Sequence, residues 1–229
     1  MNENWTLKVI ARIHSDFTSK FGIPRQSGLV KSQRSMIVFE PAYRDANALR
    51  GLDGYSHIWL LWGFSEVEQA HWSPMVKPPR LGGNKRMGVF ATRSPFRPNP
   101  IGLSSVRLDG IETRPKLGTV LLVSGADLMH GSPIYDIKPY LAFTDSHPEA
   151  LSGFAGDGSD DLLQVVFDEA WLALIPVEKR EALIDALRQD PRPAYHDDPE
   201  AAYGFEYAGF DIRFRVQNQL LRVFEVVPL

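Results

Sequence analysis

Long intervals crowded with proline and glycine separate the short β-prone stretches of this chain, and no other feature limits its fold as much. From Ser73-Pro74 to Gly82-Gly83, and again from Ser94 to Pro100, proline recurs at spacings that neither a helix nor a central strand tolerates. Short strands joined by long irregular loops predict an all-β barrel or sandwich with functional loops, not alternating βαβ units. Trp5, Leu7, Val9, Ala11 and Ile13 alternate with more polar neighbours, the period of a half-buried strand. Met36–Phe39, Met87–Thr92, Leu103–Ile111 and Thr119–Ser124 are further strand candidates. Tyr55–Phe64 is apolar on both faces, as a central strand would be, and His57 within it reads as a hydrogen-bonded core histidine. Pro41–Leu49 fits one or two helical turns stopped by Gly51.

The texture changes after Tyr140. Residues 144–161 are rich in Gly, Ser and Asp and read as a linker loop. Leu162–Phe167 suits a strand. Val177–Arg188 suits a helix that starts after Pro176, ends at Asp190-Pro-Arg-Pro and carries Leu183, Ile184 and Leu187 on one face. Phe205–Val216 and Leu220–Val227 alternate around Gln217-Asn218-Gln219, a C-terminal hairpin. The expectation is a mainly β protein: an N-terminal β domain over residues 1–145, a linker over 146–161, and a smaller α+β unit over 162–229.

A net charge of −3 conceals a split along the chain. Residues 1–110 hold 15 Lys and Arg against 8 Asp and Glu, whereas residues 111–229 hold 10 against 20. No acid lies between Glu68 and Asp109, yet Lys77, Arg80, Lys85, Arg86, Arg93, Arg97 and Arg107 do. Such a stretch creates a positive field suited to an anionic partner, although runs of charge also serve as plain solvated surface. With no cysteine, disulfides, thiolate metal sites and cysteine nucleophiles are excluded. The six histidines never pair at i, i+4, so no metal site is expected. The longest apolar run, Ile58–Phe64, falls far short of the roughly 20 residues that span a bilayer. Without a basic, then apolar, N-terminal leader, the expected compartment is the cytoplasm.

Three segments carry candidate chemistry. In Ile23-Pro-Arg-Gln-Ser-Gly-Leu-Val30, Pro24 stiffens the approach and Gly28 permits positive φ beside the donors of Arg25 and Gln26; a tight turn with an exposed arginine fits the same pattern. In Gly88–Gly102, three prolines follow Arg93 and fix Arg97 and Asn99 in space before any ligand arrives. In Ile134-Tyr-Asp-Ile-Lys-Pro-Tyr140, an extended chain places Asp136, Lys138 and Tyr140 on one side, offering an acceptor, a cation and an aromatic plane; an ion pair at a strand end fits equally.

Taken together, Pro24-Arg-Gln26 with Gly28-Leu-Val-Lys31, Pro78-Pro-Arg-Leu-Gly-Gly-Asn84, Met87-Gly-Val-Phe-Ala-Thr-Arg93, Phe96-Arg-Pro-Asn-Pro-Ile-Gly102, Asp136-Ile-Lys-Pro-Tyr140 and Asp190-Pro-Arg-Pro-Ala-Tyr195 resemble the TsaA-like (TrmO) family of tRNA methyltransferases. The resemblance runs from about Leu7 to Val226, departing at Ser27, where proline is expected, and at His130, where an acid is more usual. It implies a closed β-barrel enzyme that acts as a homodimer. The enzyme would use S-adenosylmethionine to methylate N6 of threonylcarbamoyladenosine beside the tRNA anticodon. Carried over by residue, Gln26, Ser27, Gly28, Arg93, Leu103, Tyr135, Asp136, Ile137 and Lys138 would bind the cofactor, joined by Ser65 and Glu66.

In such a reaction the acceptor nitrogen, conjugated to a carbamoyl group, is a poor nucleophile until its proton leaves. Asp136 is the candidate base, with Lys138 and Tyr140 orienting and Asn99 fixed nearby in the proline loop. Arg97 suits a bidentate grip on the substrate carboxylate, and Lys77, Lys85 and Arg86 suit RNA phosphates. The alternative is a non-catalytic barrel that binds tRNA or nucleotide through the same basic loop.

Overall fold

The computed structural model describes residues 6–65, 72–78, 81, 85–156, 162–192, 198 and 200–229. It is mainly β with a smaller C-terminal unit, and two separate hydrophobic cores underlie that division. Six antiparallel strands build the first: β1 (Ala11–His14), β2 (Arg34–Phe39), β3 (His57–Gly63), β6 (Ile101–Arg114), β7 (Gly118–Ser124) and β8 (Pro133–Pro139). They close in the order β1-β2-β7-β6-β3-β8, the last seam being the short pairing of Ala11 with Ile134 and Arg12 with Pro133. Alternation supplies the interior: Ala11, Ile13, Ile58, Leu60, Trp62, Val106 and Ile134 point inward and are buried. Two minor strands, β4 (Met75–Val76) and β5 (Met87–Gly88), pair as a ribbon beside the barrel.

The second core lies under a four-stranded sheet. Its strands are β9 (Gln164–Phe167), β10 (Tyr203–Tyr207), β11 (Phe210–Gln217) and β12 (Leu220–Pro228), in the order β10-β11-β12-β9. β12 and β9 run parallel because the chain crosses over between them through α3 (Val177–Arg188). Two further α-helices of one turn each are α1 (Ala142–Asp145) and α2 (Glu169–Leu172). Helix α3 spans the expected residues and buries Ala182, Leu183, Ala186 and Leu187, whereas Ile184 is only half-buried at the edge of that stripe.

Several local expectations change. β1 is confined to Ala11–His14, since residues 6–10 pair only through isolated bonds such as Ile10 N–H to Ile134 O (2.8 Å), and Trp5 lies outside the described residues. Met87–Thr92 is strand only at its first two residues and then tightens into a 3-10 turn over Val89–Ala91. His57 is exposed at the start of β3, its Nδ1 paired with Ser56 Oγ at 2.9 Å, so it is not a core histidine. β3 alternates in burial because its outer face is only partly covered. The Phe205–Val216 stretch is two strands joined at Ala208-Gly209, whose positive φ values form a tight hairpin turn; Asn218 and Gln219 do the same for β11–β12. Residues 144–161 include the end of α1 and a 3-10 turn at Gly153–Ala155, while 157–161 lie outside the described residues.

One long excursion ties the cores together. After β1 the chain leaves the barrel, and Phe17 and Val30 enter the second core rather than the first. Phe17 meets Tyr207 edge-on at 5.2 Å, Lys179 bonds Asp16 at 2.6 Å, and Ser32 donates to Asp185 at 2.7 Å. Gly22 is required here: its positive φ suits glycine, and a Cβ would enter the Phe205 ring. The C-terminal unit therefore fixes the path of residues 15–33, and with it the Gln26–Gly28 turn.

Candidate active site

A cavity of about 1110 Å³ opens at the end of the barrel where β3 and β7 finish and β6 and β8 begin. Phe64 and Ser65 follow β3, Ile101–Ser104 open β6, Asp127 and Met129 follow β7, and Ser132 precedes β8. The Gln26 turn and the 92–99 loop both line this end.

The turn is pinned by Gly28 N–H donating to Gly125 O at 2.8 Å, with φ of 81° at Gly28. Gln26 Oε1 then accepts from Arg93 Nη1, joining segments far apart in sequence across the cavity mouth. The proline loop is also braced internally. Arg97 Nη1 donates to Thr92 O at 2.9 Å, and Thr92 Oγ1 to Val89 O at 2.8 Å. Arg97 thus holds the loop's shape as well as lining the cavity. Asn99 is exposed on the rim, its carbonyl taking Ile101 N–H at 2.7 Å.

The Asp136 group is placed differently. Lys138 Nζ and Asp136 Oδ2 form an ion pair of 2.8 Å on the outer face of β8, both partners well exposed. Neither lines the cavity, but both adjoin it. Lys138 lies opposite Trp59, a lining residue; Asp136 lies opposite Leu61, itself opposite Leu103, so two strand spacings, about 10 Å, separate Asp136 from the lining Leu103. Tyr140 sits behind the wall, its ring 5.5 Å from Trp59. Trp59 is held from outside by α1, where Asp145 accepts both Trp59 Nε1–H (2.7 Å) and Leu141 N–H (3.0 Å). These donors, the backbone one foremost, hold the Asp145 carboxyl below the usual carboxylate range.

Tyr135 falls at a bulge in the β3–β8 ladder and covers Gly63, where a Cβ would strike its ring; Ile137 packs against the barrel core. Ser27 is half-buried beside Gln26, and its backbone N–H lowers the proton affinity of the Asp127 carboxyl. Lys77, Lys85 and Arg86 are exposed on and beside the β4–β5 ribbon, away from the cavity lining. Glu66 lies outside the described residues.

Sequence reasoning missed Asp127. It is the one carboxylate among the described residues that line the cavity, where Lys20, Arg25, Arg93 and Arg97 supply cations. Ser104 Oγ donates to its Oδ1 at 2.6 Å, and Trp62 Nε1 donates to Ser104 at 2.9 Å. Burial pushes its carboxyl above the usual value even though these donors, the backbone N–H groups of Asp127 and Ser27, and Arg93 oppose the rise. The available signal was an isolated acid in the apolar context Val120–Leu128. Among the described residues no cluster of three or more His, Asp or Glu is placed to hold a metal.

Comparison with known proteins bears on both halves of the chain. Residues 12–146 match the family model for the tRNA-methyltransferase O N-terminal domain, and residues 161–229 match that for the TrmO C-terminal domain. A tRNA (adenine(37)-N6)-methyltransferase of Escherichia coli (strain K12) is 41% identical over 227 residues, 96% of each chain. One of the same name from Eikenella corrodens is 44% identical over 175 residues, covering 76% of this chain and 98% of that one. The crystal structure of TrmO from Pseudomonas aeruginosa superposes with a TM-score of 0.77 at 32% identity, over 98% of this chain and 99% of that one.

Proposed function

The chain belongs to the TrmO family, matched in both its N- and C-terminal parts, and from that premise we propose that it transfers a methyl group from S-adenosylmethionine to N6 of adenosine 37 in tRNA. The observation that carries the reading is the cavity at the barrel end. Its volume of about 1110 Å³ exceeds the 300–1,000 Å³ usual for one small ligand and leaves room for a cofactor and a nucleoside together.

Its chemistry fits the cofactor. Arg93 and Gln26 offer donors to a carboxylate, Asp127 offers an acceptor to an N–H, and Trp59, Trp62 and Phe64 offer faces to an adenine or a sulfonium. S-adenosylmethionine supplies an electrophilic methyl on a cationic sulfur. The protein's part is to orient the acceptor and move one proton. Gln26, Ser27, Gly28, Ser65, Arg93 and Leu103 belong to the cofactor side in this reading. Tyr135–Lys138 and Tyr140 shape its outer margin through Trp59. Arg97 and Asn99 hold the rim where the substrate's threonylcarbamoyl group would enter, and Lys77, Lys85 and Arg86 meet the phosphates of the anticodon loop.

The finer terms of the reading have separate grounds: threonylcarbamoyladenosine as the substrate base and action as a homodimer rest on the family resemblance, and division at residues 145 and 162 rests on the change of composition after Tyr140. Among the described residues no helix is long and apolar enough to cross a membrane.

The test is direct. Purified protein should bind S-adenosylmethionine in calorimetry and, in a single turnover with tRNA, yield N6-methylated nucleoside by mass spectrometry. Arg93→Ala should weaken cofactor affinity in a folded protein. Binding of tRNA without any methyl transfer would refute the enzyme and leave the adaptor.

A further inference from the structure

One carboxylate stands among the described residues that line the cavity, and no sequence motif marks it. We propose that Asp127, rather than Asp136, accepts the proton released from the acceptor nitrogen, an inference that rests on the methyltransferase reading above. Asp127 accepts the N6 proton as the N–CH3 bond forms. The methyl–sulfur bond breaks with its electron pair staying on sulfur, which leaves as a neutral thioether, and Asp127 returns the proton to solvent when the products depart.

Three observations carry this. First, a base must reach the substrate, and among the described lining residues Asp127 is the one carboxylate, the other charged groups, Lys20, Arg25, Arg93 and Arg97, being cations. Second, the carboxylate is preorganised. Ala126 and Leu128 on either side are buried in the barrel core, so the backbone at Asp127 is fixed. The Trp62 indole is a donor only, so it occupies an acceptor site of Ser104 and turns that hydroxyl's proton towards Asp127. Third, burial raises its carboxyl against the pull of Ser104, two backbone N–H groups and Arg93, the direction a general base for neutral pH requires. The other charged groups lining the cavity, Lys20, Arg25 and Arg97, are cations that would stabilise the ionised form. Asp136, in contrast, is paired with Lys138 on the outer face of β8 and does not line the cavity.

The test combines three measurements on the full chain. Carbon-13 NMR of aspartate carboxyls in the cofactor-free protein should show one group titrating above the ordinary range, absent from Asp127→Asn. Asp127→Asn should bind S-adenosylmethionine and tRNA within about 3-fold of wild type yet lose about 10²- to 10⁴-fold in single-turnover rate at saturation. The midpoint of the wild-type rate against pH should match the NMR midpoint, persist in Asp136→Asn and rise in Ser104→Ala, which removes a donor to the carboxylate. The Ser104→Ala profile decides the matter even if Asp127→Asn does not fold. A saturated rate within 10-fold of wild type in folded Asp127→Asn would overturn the proposal. A loss confined to cofactor affinity would do so too, because Asp127 would then hold the cofactor's ammonium, as would an unmoved midpoint in Ser104→Ala. Wild-type protein that transfers no methyl to tRNA would refute the methyltransferase reading itself, before any variant is compared.

Discussion

Gly102 leaves space for the indole that orders the floor of the cavity, and Gly102→Ala should show how rigid that arrangement is. A Cβ added there would fall within contact of three Trp62 ring atoms, the most distant being Cδ2 at 2.7 Å. Trp62 is buried at 7% exposure in the barrel core, with Phe64 at 4.4 Å and its Nε1 on Ser104. The ring is packed against Phe64 and the barrel core on one side and lines the cavity on the other, so it must shift by about 1 Å against its packed neighbours or leave its place on the cavity wall, and such overpacking costs about 1–3 kcal/mol. That shift also stretches the bond to Ser104, a further ~1 kcal/mol. The sum of about 2–4 kcal/mol corresponds in a chain of this size to a fall in Tm of roughly 5–15 °C. Calorimetry measures it, with Gly88→Ala as control, since a Cβ there meets nothing within 4 Å and its φ of −59° suits any residue. A Gly102→Ala protein melting within about 1 °C of the control would show that Trp62 is loosely held, and the reasoning about a preorganised Asp127 would fail with it.

Further expectations follow from the same contacts. Tyr207→Phe removes the hydroxyl that donates to Lys179 O at 3.1 Å inside the second core, and urea denaturation should show a loss of about 0.5–1.5 kcal/mol. Asp127 has a folded-state pKa raised above its unfolded value, so its stabilising contribution is full below about pH 3.9 and lost as pH rises through the folded value. Asp127→Asn should therefore melt at or above wild type at neutral pH, the advantage vanishing on acidification. Asp190 has the opposite sign. Although burial alone would raise its pKa, the bonds and charge of Arg192 lower it, so its contribution is present above about pH 3.9 and disappears as pH falls through the lower folded value. Arg192→Gln should flatten that acid limb of the Tm profile. Lys85→Glu with Arg86→Glu should weaken tRNA binding and reduce its salt dependence while leaving cofactor affinity unchanged; equal tRNA affinity at moderate salt would place the RNA on another surface.

Residues close in sequence were largely decided by the sequence. Helix α3 begins after Pro176 and ends before Asp190-Pro because a fixed φ and a missing N–H act within a turn of where they occur. The hairpin at Asn218-Gln219 and the stiff 94–100 loop are legible for the same reason, and the first half of β6 alternates in burial as a strand with one inward face does. The Asp136–Lys138 pairing also follows from spacing alone, since alternate residues of a strand share a side. What spacing could not tell is which side. The bulge at Tyr135 and the packing of Ile137 on the core turn that pair outward, and a bulge is a property of two strands, not one. Arg93 meets Gln26, and Phe17 enters the second core, only after barrel closure and the docking of the C-terminal sheet bring distant segments together. Asp127 is the clearest case. Its neighbours in sequence say only that an acid stands among apolar residues, while its altered proton affinity arises from desolvation and from Ser104, Ser27 and Arg93, which the folded chain alone assembles around it.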